Sequence, residues 1–134
     1  MKKTLLTLAT LLTLSFTQLE AKPFLVDAGL PHYTKVLMQK WDDTTLALSK
    51  EQKQKLLQVR KTTIKALKKL KPQIAALQKE IIQATKKGVD PKALQPKLDQ
   101  LAQLKKEASF VHLQCIYQTK KILKKEQLKM LQLR

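Results

Sequence analysis

Covalent staples, sharp turns and sheets are all poorly provided for in this sequence. Cys115 is its only cysteine, so no disulfide can form within one chain. Cys115 therefore reads as a small buried apolar residue, with a bridge between two copies left open. Two glycines, Gly29 and Gly88, both fall at joins between patterned segments, and aromatic residues make up 4% of the chain. Strand-like alternation is absent, which excludes a sheet protein and leaves helix. There is no glycine-rich phosphate loop, the ten acidic residues are scattered, and the two histidines, His32 and His112, stand far apart in sequence. That inventory holds no catalytic constellation, so the chain does not read as an enzyme.

What is abundant is lysine. Arg60 and Arg134 are the only arginines among 27 basic residues, set against 10 acidic ones, for a net charge of +17. The chain begins with the features of an export signal: Lys2 and Lys3, an apolar stretch over residues 5–16, and Ala21 as a small residue at the cut. Cleavage near Ala21 removes two basic residues and one acidic residue, leaving 25 against nine, or +16 over 113 residues. No later run approaches a membrane span. Lysine is a strongly hydrated point charge without arginine's planar fork, suited to diffuse, salt-sensitive attraction. For an exported chain, nucleic acid is a poor partner. Anionic envelope lipid, acidic protein surfaces and unfolded chains are better ones.

The apolar pattern predicts an all-α fold. Residues 22–47 form an entry segment, irregular at first. A short helix opened by Pro31 follows, carrying Tyr33, Val36, Leu37 and Trp41, and then a turn at Asp42, Asp43, Thr44 and Thr45. This short helix is expected to fold back on the long ones. The first long helix shows Leu57, Ile64, Leu67, Ile74, Leu77 and Ile81 at near-heptad spacing. Pro72 interrupts it without shifting the apolar phase, which predicts one kinked helix. Lys86-Lys87-Gly88 ends it, and Asp90-Pro91 restarts the chain as cap and first helical residue. The second long helix carries Leu94, Leu98, Leu101, Ala108, Cys115 and Ile122, widened by Leu104, Val111 and Ile116, with Pro96 a second kink or a true start. So short a connection forces an antiparallel hairpin. Two helices near 37 residues would reach roughly 55 Å. A shape so long and thin has little interior, and its apolar stripes are broader than one partner covers. A homodimer is therefore expected.

Leu48-Ser49-Lys50-Glu51-Gln52 opens the first long helix as a capping box: the Ser49 hydroxyl accepts from the Gln52 amide while the Gln52 side chain reaches back. Leu123-Lys124-Lys125-Glu126-Gln127 repeats the frame near the other end of the hairpin. Lys124 stands where the hydroxyl belongs, so the second long helix is expected to run on through it, leaving Gln127 on a helix surface. An export signal, Leu-Ser-x-x-Gln, a lysine-rich hairpin and a second Leu-x-x-x-Gln occur in that order. The combination resembles the Spy/CpxP family of periplasmic proteins, defined by paired Leu-Thr-x-x-Gln motifs. Leu70-Lys71-Pro72 and Gly88-Val89-Asp90-Pro91 look especially like its heavy-metal-resistance, zinc-resistance-associated branch. The resemblance covers roughly residues 31–134 and implies a helical domain over residues 48–134. It further implies a cradle-like antiparallel homodimer acting as an ATP-independent chaperone, a restrainer of an envelope-stress sensor kinase, or a metal-responsive protein.

Three functions follow as expectations. A holdase-like chaperone would gather unfolded or acidic chains through Arg60, Lys61, Lys65, Lys68 and Lys69 and hold them on shallow apolar patches. Any single lysine is ordinarily a solvated surface residue, but the collective charge exceeds what solubility asks of a small domain. A metal role would rest on His112 and Cys115, three apart on a helix and both zinc-ligand types; doubling across a dimer axis would make four ligands. No cofactor other than such a zinc ion is suggested. A regulator would dock the same basic surface on an acidic sensor-kinase domain.

Overall fold

A computed structural model of the chain describes residues 22–26 and 29–132. The expected export signal at residues 1–21 lies outside the described residues. The fold is all-helical: α1 (Tyr33–Gln39), α2 (Lys50–Lys86), α3 (Pro91–Ile122) and α4 (Lys125–Gln132). The long helices α2 and α3 pack along each other as an antiparallel hairpin, and α1 touches both α3 and α4.

The hairpin turn is built from local chemistry. Gly88 adopts φ +78°, a conformation that strains any side-chain-bearing residue. It thereby brings its own N–H to the Thr85 carbonyl at 3.0 Å and the Val89 N–H to the Ala84 carbonyl at 3.1 Å, satisfying the last carbonyls of α2. The Asp90 carboxylate then accepts from the Lys92 N–H at 2.9 Å and caps α3. Pro91 fills the first helical position, where no donor is needed. Neither interior proline breaks its helix: α2 continues through Pro72 and α3 through Pro96. Both prolines are exposed, so their unpaired carbonyl partners can reach water.

The seam between α2 and α3 departs from the stripe expected on α2. Leu56 is 4% exposed, whereas Leu57 is 46% exposed and Ile64 also faces solvent. The α2 row that turns inward is Leu56, Thr63, Leu67, Leu70, Ile74, Leu77 and Ile81, a heptad repeat with a threonine in one apolar position. Thr63 tolerates that position because its hydroxyl donates to the Val59 carbonyl at 2.8 Å. On α3 the inward row is Leu94, Leu101, Lys105, Ala108, His112, Cys115 and Thr119, with Leu98 outside it.

An apolar core lies at the end of the hairpin away from its turn. Tyr33, Leu37, Leu46, Leu56 and Leu123 are buried together there, backed by Trp41, Leu48, Ile116, Leu128 and Leu131. As expected, α1 folds back as a lid, with Lys53 Nζ 5.7 Å from the Trp41 ring centre and 2.9 Å from Asp42. A continuous second long helix through Lys124 does not occur. Instead α3 stops at Ile122, Leu123 turns inward in extended conformation, and α4 begins at Lys125.

Candidate functional site

Two regions carry the chemistry that is not simple packing: the end where the repeated motifs meet, and a groove part-way along the hairpin. At the motif end, Ser49 forms the full capping box, its Oγ accepting from the Gln52 N–H at 3.1 Å and its N–H donating to Gln52 Oε1 at 3.0 Å. The second copy forms half a box. The Lys124 N–H donates to Gln127 Oε1 at 2.9 Å, and no side-chain oxygen answers from Lys124. Gln127 therefore faces inward, 6% exposed, and does not lie on a helix surface.

The two motif glutamines then bind each other. Gln52 Nε2 donates to Gln127 Oε1 at 2.8 Å, and Gln127 Nε2 donates back to Gln52 Oε1 at 3.2 Å. The remaining N–H of Gln52 reaches the Ile122 carbonyl at 3.0 Å, closing the end of α3. That of Gln127 reaches the Leu46 carbonyl at 3.0 Å, with Ala47's at 3.5 Å. A side-chain amide offers two donors and one oxygen with two lone pairs, and both residues use all of them. Four chain segments are thereby tied at one point.

The turn that offers those carbonyls is shaped for the purpose. Asp43 Oδ1 accepts from the Thr45 N–H at 2.8 Å and more weakly from Leu46 at 3.4 Å. These backbone bonds hold the Asp43 carboxyl below its ordinary pKa of 3.8, with nearby Lys40 adding to the effect. A lowered folded-state pKa contributes stability that is present above 3.8 and lost as the pH falls through the folded value. Ala47 closes the turn at φ 49°, a left-handed conformation uncommon for alanine.

The groove lies between the middle of α2 and α3 and has a volume of about 800 Å³. Its lining includes Ala66, Lys69, Leu70 and Gln73 from α2 and Lys106, Glu107, Ser109, Phe110, Val111 and Leu113 from α3. Residues 22–26 cross to it and add Leu25 and Val26. This strap is held by the Leu25 N–H, which donates to Ser109 Oγ at 2.8 Å, while that hydroxyl donates onward to the Lys105 carbonyl at 2.7 Å. Phe24 stacks on the buried His112 ring at 4.9 Å between centroids, and His32 stacks on His112 at 5.1 Å. The histidines far apart in sequence are thus neighbours.

Of the basic residues expected to bind clients, Lys69 alone lines the groove. Lys61, Lys65 and Lys68 are exposed on a different face of α2 from Ala66, Leu70 and Gln73. Arg60 is half-buried beneath α1, beside Leu37, Trp41 and Leu56. His112 and Cys115 are both buried in the seam, and among the described residues no group of three or more His, Cys, Asp or Glu is placed to hold a metal ion.

No known family, curated protein or solved structure matches the chain. The groove residues that sequence reasoning missed are Phe110, Leu113 and the strap. Phe110, Leu113 and Tyr117 form their own i, i+3, i+7 row outside the α3 seam, a signal that was present in the sequence. Nothing local in residues 22–26 marks them as a strap.

Proposed function

We propose that this protein is an ATP-independent, holdase-like chaperone of the Spy/CpxP type, acting in the periplasm on unfolded or acidic protein surfaces. The observation that carries the reading is the groove, where large apolar side chains stay in solvent beside lysines on a strongly basic chain. Phe110 is 65% exposed, Leu25 59% and Val26 51%, and all three converge on one depression. Converging apolar exposure of this kind marks an interaction surface. Excess positive charge draws acidic or unfolded chains over a distance, and shallow apolar contacts hold them weakly enough to release without a nucleotide. Docking on an acidic sensor domain would use the same surface.

The test is suppression of the aggregation of insulin reduced with dithiothreitol. Suppression at a stoichiometric ratio, weakened by high salt, is the expected result, because exposed charges are screened beyond roughly 3 Å at 1 M salt. No suppression at that ratio overturns the proposal.

A further inference from the structure

We propose that residues 22–26 are a binding element, the strap wall of a groove that clamps an apolar peptide segment bearing carboxylates. This rests on the client-binding reading above and assigns it a place and a partner chemistry. Leu25 and Val26 are half-exposed toward the groove although the strap is tied down behind them by Ser109 and the Phe24–His112–His32 stack. A strap that served only to cover the core would turn these side chains inward. Here the polar backbone contact and the ring contact do the anchoring, and the aliphatic side chains are left available opposite Phe110 and Leu113.

Charge selects the occupant. Lys69 and Lys106 stand in the lining, and neither forms an ion pair among the described residues. Among the described residues the one lining carboxylate, Glu107, accepts from Gln103 Nε2 at 3.2 Å within α3. An apolar segment with flanking glutamates or aspartates therefore gains both burial and two lysine partners, whereas a lysine-flanked segment meets like charge. A second copy of the chain is disfavoured as the groove's occupant by the same argument, since each copy carries a net +17, or +16 without residues 1–21. The groove's volume of about 800 Å³ lies within the span of sites that enclose compact ligands and short side-chain clusters.

The experiment uses two fluorescein-labelled peptides with the apolar core Phe-Leu-Val, one flanked by glutamates and one by lysines, followed by anisotropy. Binding of the glutamate peptide is expected to be about tenfold tighter. Leu25→Asp combined with Val26→Asp should weaken it about tenfold, and Ser109→Ala about threefold, by loosening the wall. Lys69→Glu with Lys106→Glu should reverse the charge preference. Leu98→Asp, on exposed apolar surface outside the groove, should change nothing, and helical circular dichroism checks that each variant is folded. Unchanged binding in the Leu25/Val26 variant overturns the proposal, and tighter binding does so too, by making the strap a plug. Binding to phosphatidylglycerol vesicles in place of either peptide also overturns it, as does self-association by light scattering that the strap variant abolishes. Insulin aggregation is measured alongside. Suppression by the wild type with strap-independent peptide binding sinks this inference and leaves the chaperone function standing. Strap-dependent peptide binding without suppression does the reverse.

Discussion

At the motif end, Leu37 and Leu46 are all but sealed from solvent, and two glutamines use every donor and lone pair they have. In the groove between α2 and α3, Phe110 and Leu25 stay largely exposed, and among the described residues the lining lysines form no ion pair. The first region spends its polar groups on joining segments; the second leaves its apolar and charged groups uncommitted. A thin hairpin has too little interior to close along its whole length. Concentrating stability at one end lets the middle keep apolar surface in solvent.

Gln127→Leu should break that contrast most. It strands the Lys124 N–H, the Leu46 carbonyl and half of the Gln52 amide, each beside a buried core, at a cost of about 3 kcal/mol. The urea midpoint should fall with an unchanged slope. Phe110→Ser, measured the same way, should move stability by less than about 0.5 kcal/mol, because its ring is already in water. Comparable losses at both positions would show that the groove is part of the core and not free surface.

Thr119 sharpens the comparison from within the seam. It is fully buried on α3, and among the described residues its Oγ1 has no hydrogen-bond partner. A buried hydroxyl without a partner is destabilising, and valine has nearly the same shape. Thr119→Val should therefore raise stability by about 1 kcal/mol, read from the same urea titration. A loss of stability would mean that the hydroxyl is satisfied in solution.

The parts of the fold legible in the sequence are those set by neighbours in the chain. Gly88, Asp90 and Pro91 announce the hairpin turn, and Ser49 with Gln52 announces the start of α2, because each bond spans five residues or fewer. The α2 stripe departs from the expected one at Leu57 and Ile64, and at Ile64 the reason is physical: Thr63 beside it holds the seam position through a bond to its own helix. On α3, Lys105, His112 and Thr119 place polar residues at inward positions and so disguise the heptad. The site was less legible still. Gln127 finds its partner Gln52 75 positions away, and Leu25 finds Ser109 84 away. The lysines were visible as a collective charge, but which of them borders apolar surface depends on helix rotation, and that favours Lys69 and Lys106 over Lys61, Lys65 and Lys68.

The smallest expected effect isolates what the second motif lacks. Lys124 is the N-cap of α4: its carbonyl accepts from the Leu128 N–H at 2.9 Å, and Gln127 already supplies the reaching-back half of a capping box. The missing half is a side-chain oxygen for the Gln127 N–H, the role that Ser49 plays for Gln52. Lys124 is exposed, so its replacement removes no packing. Lys124→Ser should therefore stabilise the protein by about 0.5–1 kcal/mol, the usual worth of an N-cap hydroxyl. In the background of Gln127→Leu, the gain should shrink, because the inward turn of α4 that aligns the new oxygen depends on that side chain. A gain of equal size in both backgrounds would mean that the cap and the glutamine pair act independently. A smaller one would show that the motif end is a single cooperative joint.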